Sequence, residues 1–285
     1  MTVRVARHTL PEISSRSLEL LHEDASESID DLAQAPHMFN VALSSNMTYM
    51  QARCTLDPGA GNLDTWEAVV ATMQVGSALF ASATTTEETV SCRVNHKMLT
   101  IPATGPRSHA DAGNWLTAFW LAIVCRDQNR MTQLCKVPLE VLRASGADYD
   151  EYVYHWVDSL QTYWLEQPGL LDKLVAAIEG SHPDVARVAD HELLNKVLYQ
   201  PINLFHRFLR KDRDGFNTAL QEALTLHREY WTADADREHS ISGAIALGPL
   251  AITCLAYDAD FPIEVESEYV PNHLLNRGWL GEFPT

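Results

Sequence analysis

Apolar residues recur every three or four positions along most of the chain, which is the spacing of amphipathic α-helices. This spacing predicts about ten helices joined by short loops. They begin near residues 12, 37, 64, 114, 148, 171, 183, 202, 216 and 241, and a short one follows near 271–277. No tract rich in Gly, Ser or Pro and no strict repeat divides the chain. We therefore expect an all-α fold, a single-domain array of about ten helices over residues 1–285.

Local signals indicate where some of these helices begin and add one β-hairpin. Asp64 with Glu67, and Asp148 with Glu151, have the spacing of a capping box and predict two helix starts. Two β-rich runs flank the polar pair Asn95-His96, so residues 89–101 are predicted to form a small β-hairpin insertion. Pro183 suits the first turn of a helix running to Tyr199.

An acidic segment near the C-terminus, residues 258–269, is the most unusual part of the sequence. If it is extended, alternation places its apolar and acidic side chains on opposite faces. The first face takes Ile263, Val265, Ser267 and Tyr269, and the second takes Glu264, Glu266 and Glu268. Crowded carboxylates repel one another, so the arrangement favours a basic partner, although an edge guarded by charges against aggregation has the same pattern. The candidate partner-binding residues are Asp258, Asp260, Glu264, Glu266 and Glu268.

The net charge supports the same kind of partner. The chain has 21 Lys plus Arg against 38 Asp plus Glu, a formal net charge of −17. A field of this sign repels nucleic acid and anionic membrane surfaces, and it attracts basic proteins. We therefore expect neither a nucleic-acid nor a membrane partner.

The location expected from the sequence is the cytoplasm. The five cysteines are scattered and odd in number, which is typical of free thiols in a reducing compartment. The first residues carry two arginines without an apolar run behind them, so no signal peptide is expected. The apolar stretch 241–257 is too short to span a bilayer and contains Gly248-Pro249, so it is expected to be a buried core helix.

Two motifs come close to metal sites but lack a ligand. His191-Glu-Leu-Leu-Asn195 has Asn195 where a zincin needs its second histidine. Asp30-Asp31 lacks the third aspartate of a diphosphate-binding motif. No P-loop, nucleophile elbow or dinucleotide fingerprint occurs. We therefore expect no metal, no cofactor and no catalytic residues, while an all-α enzyme whose scattered Asp, Glu and His converge on a metal stays the alternative.

Three C-terminal strings resemble a known family. They are Pro201-Ile-Asn-Leu-Phe-His-Arg-Phe-Leu-Arg210, Leu247-Gly-Pro-Leu-Ala251 and Phe261-Pro-Ile-Glu-Val-Glu-Ser267. They resemble the immunity protein 49 family, whose helical members are encoded beside toxins in bacterial polymorphic-toxin systems. The resemblance spans mainly residues 150–277 and implies that the chain binds and neutralises a cognate toxin. It supplies no binding residues and leaves the oligomeric state open; a helical scaffold is a third hypothesis, but it would require a repeat.

Overall fold

Helices account for 61% of the computed structural model, which describes residues 2–285. The α-helices are α1 (Ser15–Asp30), α2 (Phe39–Leu56), α3 (Leu63–Thr84), α4 (Ala112–Val124), α5 (Gln128–Cys135), α6 (Leu139–Arg143), α7 (Glu151–Trp164), α8 (Leu170–Gly180), α9 (His191–Leu193), α10 (Gln200–Leu209), α11 (Arg213–Trp231), α12 (Ala235–Glu238), α13 (Leu247–Asp258) and α14 (Asn272–Leu275). A π-helix, Leu194–Leu198, joins α9 to α10, and short 3-10 turns lie at Asp31–Ala33, Pro36–Met38 and Ile241–Ala244. The all-α prediction is confirmed.

The centre of the fold is α3, which is buried on nearly every side. It packs between α2 and α4, and α13 lies on the other side of α4. Gly76 lets α3 and α4 approach closely, because a Cβ there would lie 2.9 Å from the Cβ of Ala118. Among the described residues, the buried apolar side chains form a continuous cluster from Val5 to Leu275.

The predicted hairpin is confirmed, and its turn lies at Asn95-His96 as predicted. Strand β2 (Thr89–Val94) pairs antiparallel with β3 (Lys97–Pro102), in the register Val94 to Lys97. Asn95 and His96 have φ of 46° and 62°, as a two-residue type I′ turn requires. The Asn95 N–H donates to the side-chain oxygen of Gln74 at 2.8 Å, which fixes the turn against α3.

The predicted helix over 183–199 is wrong in its first half. Residues 181–190 are turns and bends, and helical structure starts only at His191. The reason lies far away in sequence, since the carboxylate of Asp150 accepts the backbone N–H groups of Arg187, Val188 and Ala189 at 2.6–3.1 Å. A side chain that binds three successive backbone donors offers them an alternative to a helix.

The same Asp150 occupies the N-cap position of α7, so the cap predicted at Asp148 is wrong by two residues. At α3 the N-cap position is Asn62, so the start predicted at Asp64 is also wrong. Here the carboxylate of Asp57 accepts the N–H groups of Gly61 and Asn62. Neither helix start thus has the predicted capping residue at its N-cap position. The sequence pattern also missed α5, α6 and α12, which are short.

The apolar segment Ile241–Asp258 is long and apolar enough to cross a membrane by length and composition alone, and 61% of it is buried inside the protein. It is not one continuous helix, because Ile245 has an extended backbone between a 3-10 turn and α13. Helix α13 packs against α4 and α10. The segment therefore serves as a core element, as its sequence predicts.

Candidate partner-binding surface

The five predicted acidic residues lie on one segment, which we call the acidic edge: Asp258, Asp260, Glu264, Glu266 and Glu268. It begins where α13 ends, and the chain reverses at Asp260, whose φ is +60°. Phe261 then turns back into the core, and its ring lies 5.6 Å from the rings of both Phe208 and Phe216. The edge is therefore anchored at its start by an aromatic cluster and not suspended as a free loop.

A two-stranded parallel sheet holds the middle of the acidic edge. Strand β1 (Val3–Arg4) pairs with β4 (Val265–Glu266), and Val265 between the glutamates is buried. On the other side, the Asn217 side chain donates to the carbonyl of Pro262 at 2.8 Å and accepts the Glu264 N–H at 2.7 Å. The predicted alternation therefore holds through Glu266, although the strand is shorter than the predicted extended run of 263–269.

Asp258 and Glu268, at the two ends of the acidic edge, form ion pairs within the chain. Asp258 lies 3.1 Å from the guanidinium of Arg126 and 2.8 Å from that of Arg277, and its side chain is only 25% exposed. Arg126 also donates to the carbonyls of Leu274 and Leu275, so Asp258 fixes α14 against α13. This carboxylate has a structural role.

At the other end, Glu268 faces two arginines of the N-terminal segment. Its carboxylate lies 3.5 Å from Nε of Arg7 and 3.9 Å from the guanidinium of Arg4. The Arg7 side chain is only 8% exposed, and it donates to the carbonyls of Cys54 and Thr55 at the end of α2. Burial lowers the pKa of Arg7, and Glu268 acts in the opposite direction. Glu268 is thus the counter-ion of a buried arginine, a role that the sequence pattern gave no reason to expect.

The three acidic residues between these ends, Asp260, Glu264 and Glu266, are exposed. Within residues 2–285, Asp260 and Glu266 make no ion pair. A cleft of about 660 Å³ adjoins Glu266, and its lining also includes Glu268, Arg4 and the partly exposed Tyr257. The arrangement offers carboxylates on a fixed backbone next to a concave surface, which suits a cationic protein surface.

The profile of the family described as Immunity protein 49 matches residues 57–274, most of the chain. The chain belongs to this family. The resemblance stated from the C-terminal strings is confirmed, and no curated protein or solved structure matches the chain. The matched range of this immunity protein contains the whole acidic edge. It leaves out Val3, Arg4 and Arg7, which hold that edge from the N-terminal side.

Two histidines lie at the far end of the acidic edge, where His227 is buried and His8 is partly buried. The Tyr269 hydroxyl accepts the His8 N–H at 3.1 Å and lies 2.7 Å from Nδ1 of the same ring. The His227 ring lies 4.8 Å from that of Tyr269, and its Nε2 is 3.1 Å from the carbonyl of Gly243. Burial lowers the pKa of His227 to about 4, and burial together with Arg7 lowers that of His8. Both rings are therefore neutral at pH 7.

The two near-miss metal motifs are engaged in ion pairs. Glu192 of the His191 motif lies 3.1 Å from Lys196 and 2.8 Å from Arg237. Asp30 lies 2.6 Å from Lys97 of the hairpin. No group of three or more His, Cys, Asp or Glu side chains within residues 2–285 is arranged to hold a metal ion. These carboxylates join elements of the fold to one another.

Proposed function

We propose that this immunity protein neutralises a cognate toxin by binding it stoichiometrically, and that Asp260, Glu264 and Glu266 contact a basic surface of that toxin. Membership of the immunity protein 49 family supports the role of an immunity protein, which is not that of an enzyme. The observation that carries the proposal is the exposed position of these carboxylates on a segment held by β1 and Asn217, with Glu266 at the edge of a cleft. The five buried free cysteines support action in a reducing compartment, the cytoplasm.

The net charge of the protein affects how fast it associates with a basic toxin. A net charge of −17 steers a basic protein toward the surface over distances near the Debye length, about 8 Å at physiological salt. Exposed rim charges mainly set the association rate and its salt dependence, and they affect the dissociation rate much less. The acidic edge should therefore make association fast at low salt.

The test uses the toxin domain encoded next to the gene and the double variant Asp260→Asn/Glu266→Gln. Glu268 stays unchanged, because its loss would strand Arg7 and confuse folding with binding. The matched control is Asp172→Asn/Glu179→Gln on α8, which removes the same two charge types from exposed positions that make no ion pair within residues 2–285.

We expect the edge variant to associate roughly threefold to tenfold more slowly than the control at low ionic strength, with a flatter salt dependence. Association rates measured at two salt concentrations test whether the acidic edge contacts the toxin. Equal rates for the two double variants would place the toxin elsewhere on the surface. If the wild type does not bind the toxin at all, the neutralising role itself is wrong.

A further inference from the structure

A second concave surface, away from the acidic edge, is lined mainly by apolar side chains. This apolar groove has a volume of about 570 Å³ and lies among α4, α7, the π-helix and the start of α13. Its walls include Leu116, Trp120, Trp156, Val188, Val197 and Leu198. Val188 and Leu198 are 47% and 37% exposed, although both are apolar. An exposed apolar surface with a concave shape is typical of a protein-interaction site.

A change of hydrogen-bond register builds one wall of the groove. Pro201 has no N–H, so the carbonyl of Val197 cannot accept the usual i+4 hydrogen bond. The Tyr199 N–H instead reaches the carbonyl of Leu194 at 2.9 Å, and the Gln200 side chain donates to the carbonyl left over at Asn195. This π-helix places Val197 and Leu198 in the groove wall. Such single π turns recur at functional sites.

Two hydrogen-bond donors in the groove wall have no partner. Tyr152 is only 3% exposed, and its hydroxyl makes no hydrogen bond among the described residues. The indole N–H of Trp231, a partly buried residue, also makes no hydrogen bond among the described residues. Buried donors in native proteins are almost always paired, so these two groups are polar atoms of the groove wall that the described residues leave unsatisfied.

The charges around the groove favour a basic occupant. Lys196 is compensated, because it pairs with Glu192 at 3.1 Å and Glu229 at 3.7 Å. Asp150 is occupied by the backbone N–H groups of 187–189. Asp148 is exposed and makes no ion pair within residues 2–285, so the uncompensated charge at the groove is negative.

We propose that the apolar groove receives an amphipathic helix of the cognate toxin, with its apolar face in the groove and a basic residue near Asp148. This inference rests on the proposed function and adds a contact separate from the acidic edge. Helical walls that expose an apolar floor are the usual receptors for such helices. The groove supplies the buried apolar contacts that determine how long a complex lasts, whereas the acidic edge sets how fast it forms.

The groove variant is Val188→Arg/Leu198→Arg, and the chain offers a closely matched control in Val175→Arg/Leu63→Arg. Val175 is 49% exposed and Leu63 is 39% exposed, and neither lines the groove. Both double variants add two positive charges at apolar positions of nearly equal exposure. Any difference between them therefore reports the groove, and urea denaturation of both checks that each is folded.

The first probe is a fluorescein-labelled 14-residue helix of Leu and Lys, with Leu at i, i+3, i+4 and i+7, followed by fluorescence anisotropy. A peptide with Glu in place of Lys is the charge control. We expect the Lys peptide to bind the wild type and the control variant equally, and the groove variant roughly tenfold more weakly. Failure of the Lys peptide to bind the wild type, or unchanged binding to the groove variant, would overturn the inference.

The second probe is the toxin domain, which separates the two proposals. If the wild type binds it and the groove variant dissociates roughly tenfold faster than the control, the groove is the docking site. If both variants dissociate at the same rate as the wild type, the groove inference fails while the neutralising role stands. If the wild type does not bind the toxin domain, the neutralising role fails and the groove loses its assigned occupant, even where the peptide binds.

Discussion

Arg7 provides the sharpest test of how the N-terminal segment is held. Its guanidinium donates to the carbonyls of Cys54 at 2.9 Å and Thr55 at 3.1 Å, at the C-terminal end of α2. The carbonyl of Cys54 cannot be satisfied along the helix, because the i+4 residue is Pro58. A cation at this helix end also complements the helix dipole. Arg7→Ala should therefore remove contacts that no other group replaces.

The expected size of the effect follows from these contacts. A hydrogen bond to a charged group contributes about 1.5–3 kcal/mol, and Arg7 makes two of them with its side chain only 8% exposed. Part of this free energy is recovered in the variant, because water can hydrogen-bond to the two carbonyls once the Arg7 side chain is removed. We expect Arg7→Ala to lower the free energy of unfolding by roughly 3 kcal/mol, and Arg7→Lys to lower it by less.

Urea denaturation followed by circular dichroism at 222 nm measures this cost. The control is Arg4→Ala, since Arg4 belongs to the same N-terminal segment as Arg7 and also faces Glu268, but its side chain is 75% exposed. Its loss should lower the free energy of unfolding by under about 0.5 kcal/mol. If Arg7→Ala lowers the free energy of unfolding no more than Arg4→Ala does, the end of α2 does not hold the N-terminal segment through Arg7.

Two further predictions concern stability. The pKa of His227 is about 4 when folded and ordinarily 6.5, so the unfolded state gains a proton first as the pH falls below 6.5, and the free energy of unfolding drops by about 3 kcal/mol by pH 4. Urea titrations across this pH range should show that His227→Gln loses less unfolding free energy than the wild type as the pH falls. His182→Gln, whose side chain is 63% exposed, should lose as much as the wild type. Equal pH dependence in all three proteins would contradict the lowered pKa of His227. Gly76→Ala should lower the free energy of unfolding by about 1–3 kcal/mol, because the new methyl group would lie 2.9 Å from the Cβ of Ala118; a variant as stable as the wild type would show that α3 and α4 can separate without cost.

Periodicity and local turn chemistry predict most of the longer helices and the hairpin, because both depend on neighbours within a few residues. The 3.6-residue spacing located α11 and α13, and Asn95-His96 located the hairpin turn. The family also came from local strings. Errors arose wherever a distant group decided the outcome, as when the carboxylate of Asp150 captured the N–H groups of 187–189.

The candidate site shows the same division. The pattern of 258–268 predicted an acidic surface, and three of its carboxylates do face outward. It could not show that Asp258 and Glu268 are neutralised by Arg126 and Arg7, because each partner lies more than a hundred residues away. The apolar groove was missed as well, since Trp120 and Trp156 have the helical spacing of ordinary core residues. Which part of an apolar face stays uncovered is settled only by how the helices pack.

The pairing of β1 with β4 has a consequence for the order of events during translation. Val3 leaves the ribosome first, but its partner Val265 follows roughly 10–50 s later at ordinary rates of synthesis. Until then, Arg7 has neither Glu268 nor the closed end of the sheet to fix it, although α2 is already present. Chains that stop short of residue 258 therefore expose an unpaired N-terminal strand and lack the whole acidic edge. If that edge meets the toxin as proposed, protection depends on the number of finished chains in the cell, and partial products contribute nothing to it.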